Sequence, residues 1–102
     1  MREPSFHVLA AMLDGPLHGY GIIGRTLELT QGRVRLAAGT LYAALDRLHD
    51  AGLVEVDREE VVEGRARRYY RLTGAGREAL RAEARRMASA ADMVLRHATV
   101  RP

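Results

Sequence analysis

Arginine is the residue type in this sequence whose spacing suggests chemistry. Four arginines with no acidic residue between them lie close together in the second half of the chain: Arg65, Arg67, Arg68 and Arg71. A short basic cluster of this kind is a candidate edge for binding nucleic-acid phosphates. The preceding residues 55–63 carry five carboxylates against Arg58 alone. Because charge runs are often only solvated surface, the cluster needs support from the rest of the sequence.

Residue sets that would support catalysis or metal binding are missing. Ser5 and Ser89 have no nearby partner pattern for a nucleophile and its base. The chain contains no cysteine. Its histidines show no metal-ligand spacing such as HExxH; they are His7, His18, His49 and His97. We therefore expect a protein that is not an enzyme and that has no metal site and no cofactor.

Length and composition predict one globular domain. The chain has 102 residues, of which 47% are hydrophobic, and this content suits a packed core. No apolar run approaches the roughly 20 residues that span a bilayer, so no membrane contact is expected. Met1–Pro4 lacks the pattern of a secretory signal, and together with the absence of cysteine this favours the cytoplasm.

Periodicity and turn residues predict three helices in the first half of the chain. The first begins near Pro4 and stops before the turn residues 14–16. It is apolar on two sides, which predicts burial on two sides; the residues concerned are Phe6, Leu9 and Leu13 on one side and Val8 and Met12 on the other. The second helix runs from about His18 to Leu29, and Gly32 ends it.

The third helix is predicted from Gly39 or Thr40 to Ala51. Leu41, Leu45 and Leu48 follow the i, i+4, i+7 spacing of a stripe that faces the core. Residues 33–36 alternate polar and apolar side chains and predict a short strand ahead of this helix.

A β-hairpin and a long last helix complete the prediction. Leu53–Arg58 and Arg67–Leu72 are rich in β-branched or aromatic residues and are separated by a longish polar loop that contains Gly64. Tyr70 and Leu72 share one side of the second strand, which we expect to face the core. Thr73 is a suitable N-cap for a helix over about 74–97.

This order of elements predicts a mainly α fold with a β-hairpin. Three helices followed by a hairpin form a winged helix-turn-helix, in which residues 39–51 would be the helix that enters the major groove of DNA. We assign residues 1–73 to this domain and residues 74–102 to a C-terminal dimerisation helix that forms one compact unit with it. A winged-helix module that binds proteins and never touches DNA is the alternative.

The last helix carries a heptad pattern. Apolar residues recur with spacing 4-3-4-3-4 at Leu80, Ala84, Met87, Ala91, Val94 and Ala98, and Leu95 flanks them. Such a seam predicts packing against the same helix of a second copy, together with Phe6 and Leu9 of the first helix. A helix of about 36 Å exceeds what a small domain covers; the alternative is that it folds back on its own domain.

The third helix supplies the candidate DNA-reading residues. Thr40 and Tyr42 lie off the leucine stripe near its start and are predicted to reach base edges, with Ala43 and Arg47 on the same exposed side. The alternative to DNA contact for Tyr42 is packing against the wing. For Arg47 the alternative is an ion pair with Asp46 or Asp50.

The arginines are the candidate backbone contacts. Arg65, Arg67 and Arg68 are predicted to bind phosphate or the minor groove of double-stranded DNA. Arg33 and Arg35 flank the third helix and either contact the DNA backbone or are ordinary surface.

Several linked motifs resemble the PadR family. Residues 15–23 are similar to its GPLHGYxI signature and residues 39–48 to its GTLYxALxRL helix. Gly52–Val54, Arg67–Thr73 and Gly76 resemble its wing and the start of its last helix. The resemblance covers roughly residues 5–85. It implies a dimeric winged-helix transcriptional regulator, usually a repressor, that binds a pseudo-palindromic operator.

The sequence departs from that family pattern in two places. Many members have a basic, glycine- and proline-rich wing tip, whereas residues 55–63 are acidic here; we expect these acids to face away from phosphate. Some members bind planar aromatic ligands with tryptophan, which this chain lacks. A different effector site is hypothesised: a cleft between the final helices, where alanines leave space near Met87 and Met93 for an apolar or aromatic small molecule.

Overall fold

The computed structural model describes the backbone of residues 1–100 and the side chains of residues 1–98. Residues 101 and 102, the end of the predicted segment 74–102, lie outside the described residues. The elements in chain order are α1 (Glu3–Ala11), β1 (Leu17–His18), α2 (Gly19–Leu29), α3 (Ala38–Asp50), β2 (Val54–Val62), β3 (Arg65–Leu72) and α4 (Gly74–Val100). This order confirms the predicted class, a winged helix-turn-helix followed by a long helix.

The core lies where α1, α2 and α3 meet. The leucine stripe of α3 is buried as predicted, and Ala44 joins it. Val8 and Leu9 of α1 are wholly buried, which confirms that this helix is covered on two sides. Leu13 is exposed because α1 ends two residues earlier and Leu13 falls in the following turn.

The sheet has three strands in the order β1-β3-β2. The strand predicted at residues 33–36 is wrong: that segment has no regular structure. Its alternation instead reflects one-sided burial, with Leu36 buried and Arg33 and Arg35 exposed. The edge of β3 is occupied by Leu17 and His18, which pair with Tyr70 and Tyr69.

The hairpin is longer and its loop much shorter than predicted. β2 and β3 pair from Val54↔Leu72 to Val62↔Arg65. Only Glu63 and Gly64 remain between the strands, with φ of 53° and 77°. Two positive φ values match a type I′ turn, whose twist suits a two-residue hairpin. Four of the five acidic residues thus lie in β2, which pairs with β3, and Glu63 lies in the turn. This hairpin is the wing.

The first turns of α4 are attached to the rest of the fold. Thr73 is the N-cap, as predicted: its Oγ1 accepts from the Gly76 N–H at 3.0 Å and donates to the Gly52 carbonyl at 2.7 Å. Gly76 lies against the Leu53 carbonyl, where a Cβ would overlap backbone atoms. Leu80 is buried in the same core.

Two residues predicted for the dimer interface are therefore misplaced. Leu9 and Leu80 are 0% and 5% exposed within the single chain. They fill the contact between α1 and the start of α4, so neither is open to a partner. Phe6 is half-buried against the same core. We use the name winged domain for residues 3–83 and distal α4 for residues 84–98.

Candidate nucleic-acid interface

The exposed surface of α3 divides into two rows of side chains. Thr40, Ala43 and Arg47 recur at i, i+3 and i+7 and share one row. Tyr42 and Asp46, at i and i+4, form a second row beside the leucine stripe. All five are exposed. Tyr42, Ala43 and Arg47 thus all lie on the exposed side of α3, as predicted, in two rows.

The Tyr42 ring is positioned by α2. Its hydroxyl end lies directly over Gly19, where a Cβ would stand 3.0 Å from Tyr42 Cζ and closer still to the hydroxyl oxygen. Only glycine at position 19 permits this approach. The ring still exposes 47% of its surface, so Tyr42 combines packing with a free edge.

The arginines of the wing fall into two groups. Arg68 Nε donates to Glu59 Oε1 at 2.7 Å. The Glu59 carboxylate, and after it the Tyr70 hydroxyl, raise the pKa of Arg68 above its ordinary value. Among the described residues, Arg65 and Arg67 form no ion pair within 4 Å. The wing therefore presents two free guanidinium groups, whereas its other three, those of Arg58, Arg68 and Arg71, are each paired with a carboxylate of β2.

A groove of about 830 Å³ separates the wing from the helices. Three of the predicted residues on the wing and Tyr42 on α3 line it together. Tyr20 and Asp46 also contribute to the lining. The wing cations and one row of α3 thus border a single concave surface.

The remaining predicted cations lie outside that groove. Arg33 and Arg35 are exposed on the irregular segment before α3. Arg47 has no ion pair with Asp46 or Asp50 in the described part of the chain, so the alternative of a surface ion pair is not realised. Arg71, at the base of the wing, pairs with Glu55 at 2.7 Å.

His18 is a structural residue at the start of α2. Its Nδ1 accepts from the Gly21 N–H at 3.1 Å and so caps α2. Its ring meets the Tyr69 ring edge-to-face, with the centroids 5.2 Å apart. Burial lowers the pKa of His18, Arg67 lowers it further, and Glu60 opposes them. The detectable signal was its place directly before a helix.

Tyr20 is a large aromatic side chain that the fold leaves uncovered. It is 75% exposed at the first turn of α2, beside the groove. The inner side of the same helical turn is formed by Gly19 and Ile22, which are buried. An exposed aromatic residue at the border of a basic groove is available to a ligand.

Distal α4 extends away from the winged domain. Every described side chain from Ala84 to Ala98 is exposed, and the molecule measures 63 × 27 × 22 Å. The alternative that this helix folds back on its own domain is therefore wrong. No helix in the described part meets the length and apolarity of a membrane span. Residues 1–98 contain no cluster of metal-ligand side chains.

The comparisons with known proteins agree with this geometry. Residues 8–82 match the model of the transcriptional regulator PadR-like family. The chain belongs to this family. It is a family of transcriptional regulators and not of enzymes. The resemblance seen in the sequence motifs is thus confirmed over most of the chain.

Individual known proteins are also similar over most of this chain. Transcriptional regulator Rv3488 of Mycobacterium tuberculosis is 43% identical over 89 residues, which cover 87% of this chain and 79% of that protein. A PadR family regulator of Clostridium difficile superposes with a TM-score of 0.78 at 19% identity, over 94% of this chain and 98% of the other. That second likeness concerns the fold alone.

The fold also matches a PadR protein solved with nucleic acid. Bacillus subtilis PadR, in complex with operator DNA, superposes with a TM-score of 0.70 at 23% identity. The match covers 78% of this chain but only 46% of the Bacillus protein. The shared part is therefore less than half of that larger regulator.

Proposed function

We propose that this protein is a sequence-specific DNA-binding transcriptional regulator. One observation carries the proposal: Tyr42 of α3 and the unpaired Arg65 and Arg67 of the wing line the same groove. A helix presented beside a basic hairpin suits a major groove flanked by phosphates. The operator complex of the similarly folded Bacillus protein supports the same mode of binding.

The two parts of the surface have different roles. Phosphate contacts set register without reading sequence, whereas base-edge contacts discriminate between sequences. We assign Arg65, Arg67 and Arg68 to phosphate or to the minor groove, and Arg33 and Arg35 to the DNA backbone. The base-reading residues of α3 are Thr40, Tyr42, Ala43 and Arg47.

The proposed active form is a homodimer held by distal α4. Exposed Met87, Val94 and Leu95 lie on or beside the heptad seam, and the alanines at its other positions permit close approach of two helices. A two-fold dimer presents two α3 helices to the two halves of a palindromic operator. Repression is the mode typical of the family that the sequence resembles.

The effector hypothesis concerns the same dimer contact. We propose that an apolar or aromatic small molecule enters between the two α4 helices and weakens operator binding. Exposed Met87 and Met93 support it, because methionine side chains repack easily around a ligand. A crystal structure of the dimer with a continuous, void-free helix contact would argue against this hypothesis.

A salt-dependent binding titration tests the division of roles. Arg67→Ala should weaken binding to operator and random duplex alike and reduce the salt slope by roughly one unit. Thr40→Ala and Tyr42→Ala should weaken operator binding by about 1–3 kcal/mol and leave random DNA nearly unchanged. Arg77→Ala, which removes an exposed charge from α4, is the matched control.

The same titration can reject the proposal. The operator is first selected from the protein's own genomic DNA, and competitor DNA is then added. Failure to retard any fragment at low salt would favour the protein-interaction module instead. Loss of specificity in Arg67→Ala, with uniform weakening in Thr40→Ala, would reverse the assignment of wing and helix.

A further inference from the structure

The register of the hairpin determines which wing arginines are free. Arg65 lies opposite Val62, which cannot pair with it. Arg67 lies opposite Glu60, but Glu60 Oε1 accepts from the Tyr69 hydroxyl at 2.6 Å. Arg65 and Arg67 therefore have no ion pair within 4 Å among the described residues.

Arg68 differs from these two arginines. It lies directly opposite Glu59, and its Nε donates to Glu59 Oε1 at 2.7 Å. Both side chains are more than half exposed, at 61% and 52%. Arg68 also lines the groove beside α3, whereas Glu59 does not. The ion pair thus neutralises an arginine, Arg68, that lies on the proposed DNA-binding surface.

We propose that Glu59 competes with DNA phosphate for Arg68 and thereby lowers the affinity of the wing for any DNA duplex. This inference rests on the proposed function and concerns how the same surface is regulated. The wing meets phosphate with Arg65 and Arg67 directly, and with Arg68 only after the carboxylate has been displaced.

The strength of the pair makes this exchange feasible. Exposed ion pairs contribute little to stability, because water and salt screen them. A phosphate on the dense charge of DNA is therefore able to replace Glu59. Until it does, the pair contributes no net positive charge, so the wing releases fewer counterions from DNA than its arginine content suggests.

Glu59→Gln tests the competition directly. The amide keeps the size of the side chain but removes the charge, and its exposed position leaves folding unaffected. We expect affinity for a random duplex to rise about fivefold near 0.1 M salt, with the salt slope steeper by roughly 0.9. Glu78→Gln is the matched control, since Glu78 forms the same kind of exposed pair with Arg81, at 2.8 Å on α4.

The same substitution in an Arg68→Gln background distinguishes competition for Arg68 from direct repulsion of DNA by the Glu59 carboxylate. In Arg68→Gln protein, adding Glu59→Gln should change the affinity by less than about twofold, because the contested cation is gone. The non-additivity of the two substitutions is the signature of the proposal. Circular dichroism of each variant checks that the fold is retained.

Four results would overturn the inference. Two are an unchanged affinity in Glu59→Gln and an equal rise in Glu78→Gln. The third is an equal rise when Glu59→Gln is made in the Arg68→Gln background, which would indicate repulsion of DNA by the carboxylate. If neither the unsubstituted protein nor Glu59→Gln binds any duplex at low salt, the proposed function fails and the inference with it. Binding by the unsubstituted protein with no response to Glu59→Gln rejects the inference alone.

Discussion

Helix α4 runs through both regions of the molecule: its first turns belong to the winged domain, and its later turns form distal α4. The two regions differ in what surrounds them. Near its start, α4 buries Leu80 in the core; from residue 84 to residue 98 every described side chain of the same helix is exposed. Its apolar residues continue at heptad spacing past the point where the domain ends. Isolated helices are only marginally stable in water, and the dimer that we propose would supply the missing contact for distal α4.

Matched leucine substitutions give the largest expected effect on this comparison. Leu45→Ala, at a side chain that is 1% exposed, should lower the free energy of unfolding by about 3–4 kcal/mol, because it leaves a cavity. Leu95→Ala, at 64% exposure, should leave the winged domain's own stability unchanged and weaken only dimerisation. Urea unfolding at several protein concentrations separates the two effects.

The concentration dependence makes this test decisive. A fall in stability in Leu95→Ala that is equal at all protein concentrations would mean that distal α4 packs on its own domain. That result would remove the distinction between the two regions.

Met87→Asp should give the next largest effect, on the dimer alone. Met87 is 43% exposed in the single chain, and a partner would cover it. An unpaired carboxylate buried there should weaken dimerisation by about 3 kcal/mol. The molar mass measured by light scattering should then fall from twice the 11.3 kDa chain mass to that mass itself.

Ser89→Asp is the control for this substitution. Ser89 is exposed and lies on the side of α4 opposite Met87, so its replacement should leave the dimer intact. A stable, folded monomer of the unsubstituted protein at micromolar concentration would contradict the dimer model altogether.

Thr73→Ala tests the junction between the two regions. The substitution removes the cap of α4 and the bond to the Gly52 carbonyl. We expect the free energy of unfolding to fall by about 1–2 kcal/mol. Thr73→Ser keeps the hydroxyl and should retain most of the stability. Equal losses in the two variants would show that the methyl group, rather than the cap, stabilises the junction.

The pH dependence of folding stability is the smallest expected effect, and it concerns the winged domain alone. Folding lowers the pKa of His18 below its ordinary value of 6.5 through burial and then through Arg67, against the opposing Glu60. The unfolded chain therefore binds the proton more readily, and stability should fall as the pH drops below about 6.5. A protonated Nδ1 cannot accept from Gly21, so the loss should reach up to about 1 kcal/mol.

His18→Asn is the matched control for the pH effect. Asparagine caps helices without titrating, so this variant should lose the His18 contribution to the pH dependence, measured by urea unfolding at pH 5 and pH 7. The same slope in both proteins would assign the effect to another histidine. Dimerisation by distal α4 should not respond to this substitution.

Local patterns in the sequence were sufficient for the elements themselves. The leucine stripe of α3 and the Thr73 cap follow from helical periodicity and from hydrogen bonds a few residues apart. Glu63-Gly64 was missed as a two-residue turn because glutamate rarely adopts positive φ, and the polar residues around it suggested a longer loop.

Only the tertiary structure decided which segments meet. The sequence by itself determined a winged helix-turn-helix with a long amphipathic last helix. It did not determine that Leu9 and Leu80 join the same core, that Leu17 and His18 pair along the edge of β3, or that Glu59 neutralises Arg68. Each of these depends on a partner that is distant in the chain or fixed by strand register, whereas periodicity and capping depend on neighbours within a few residues.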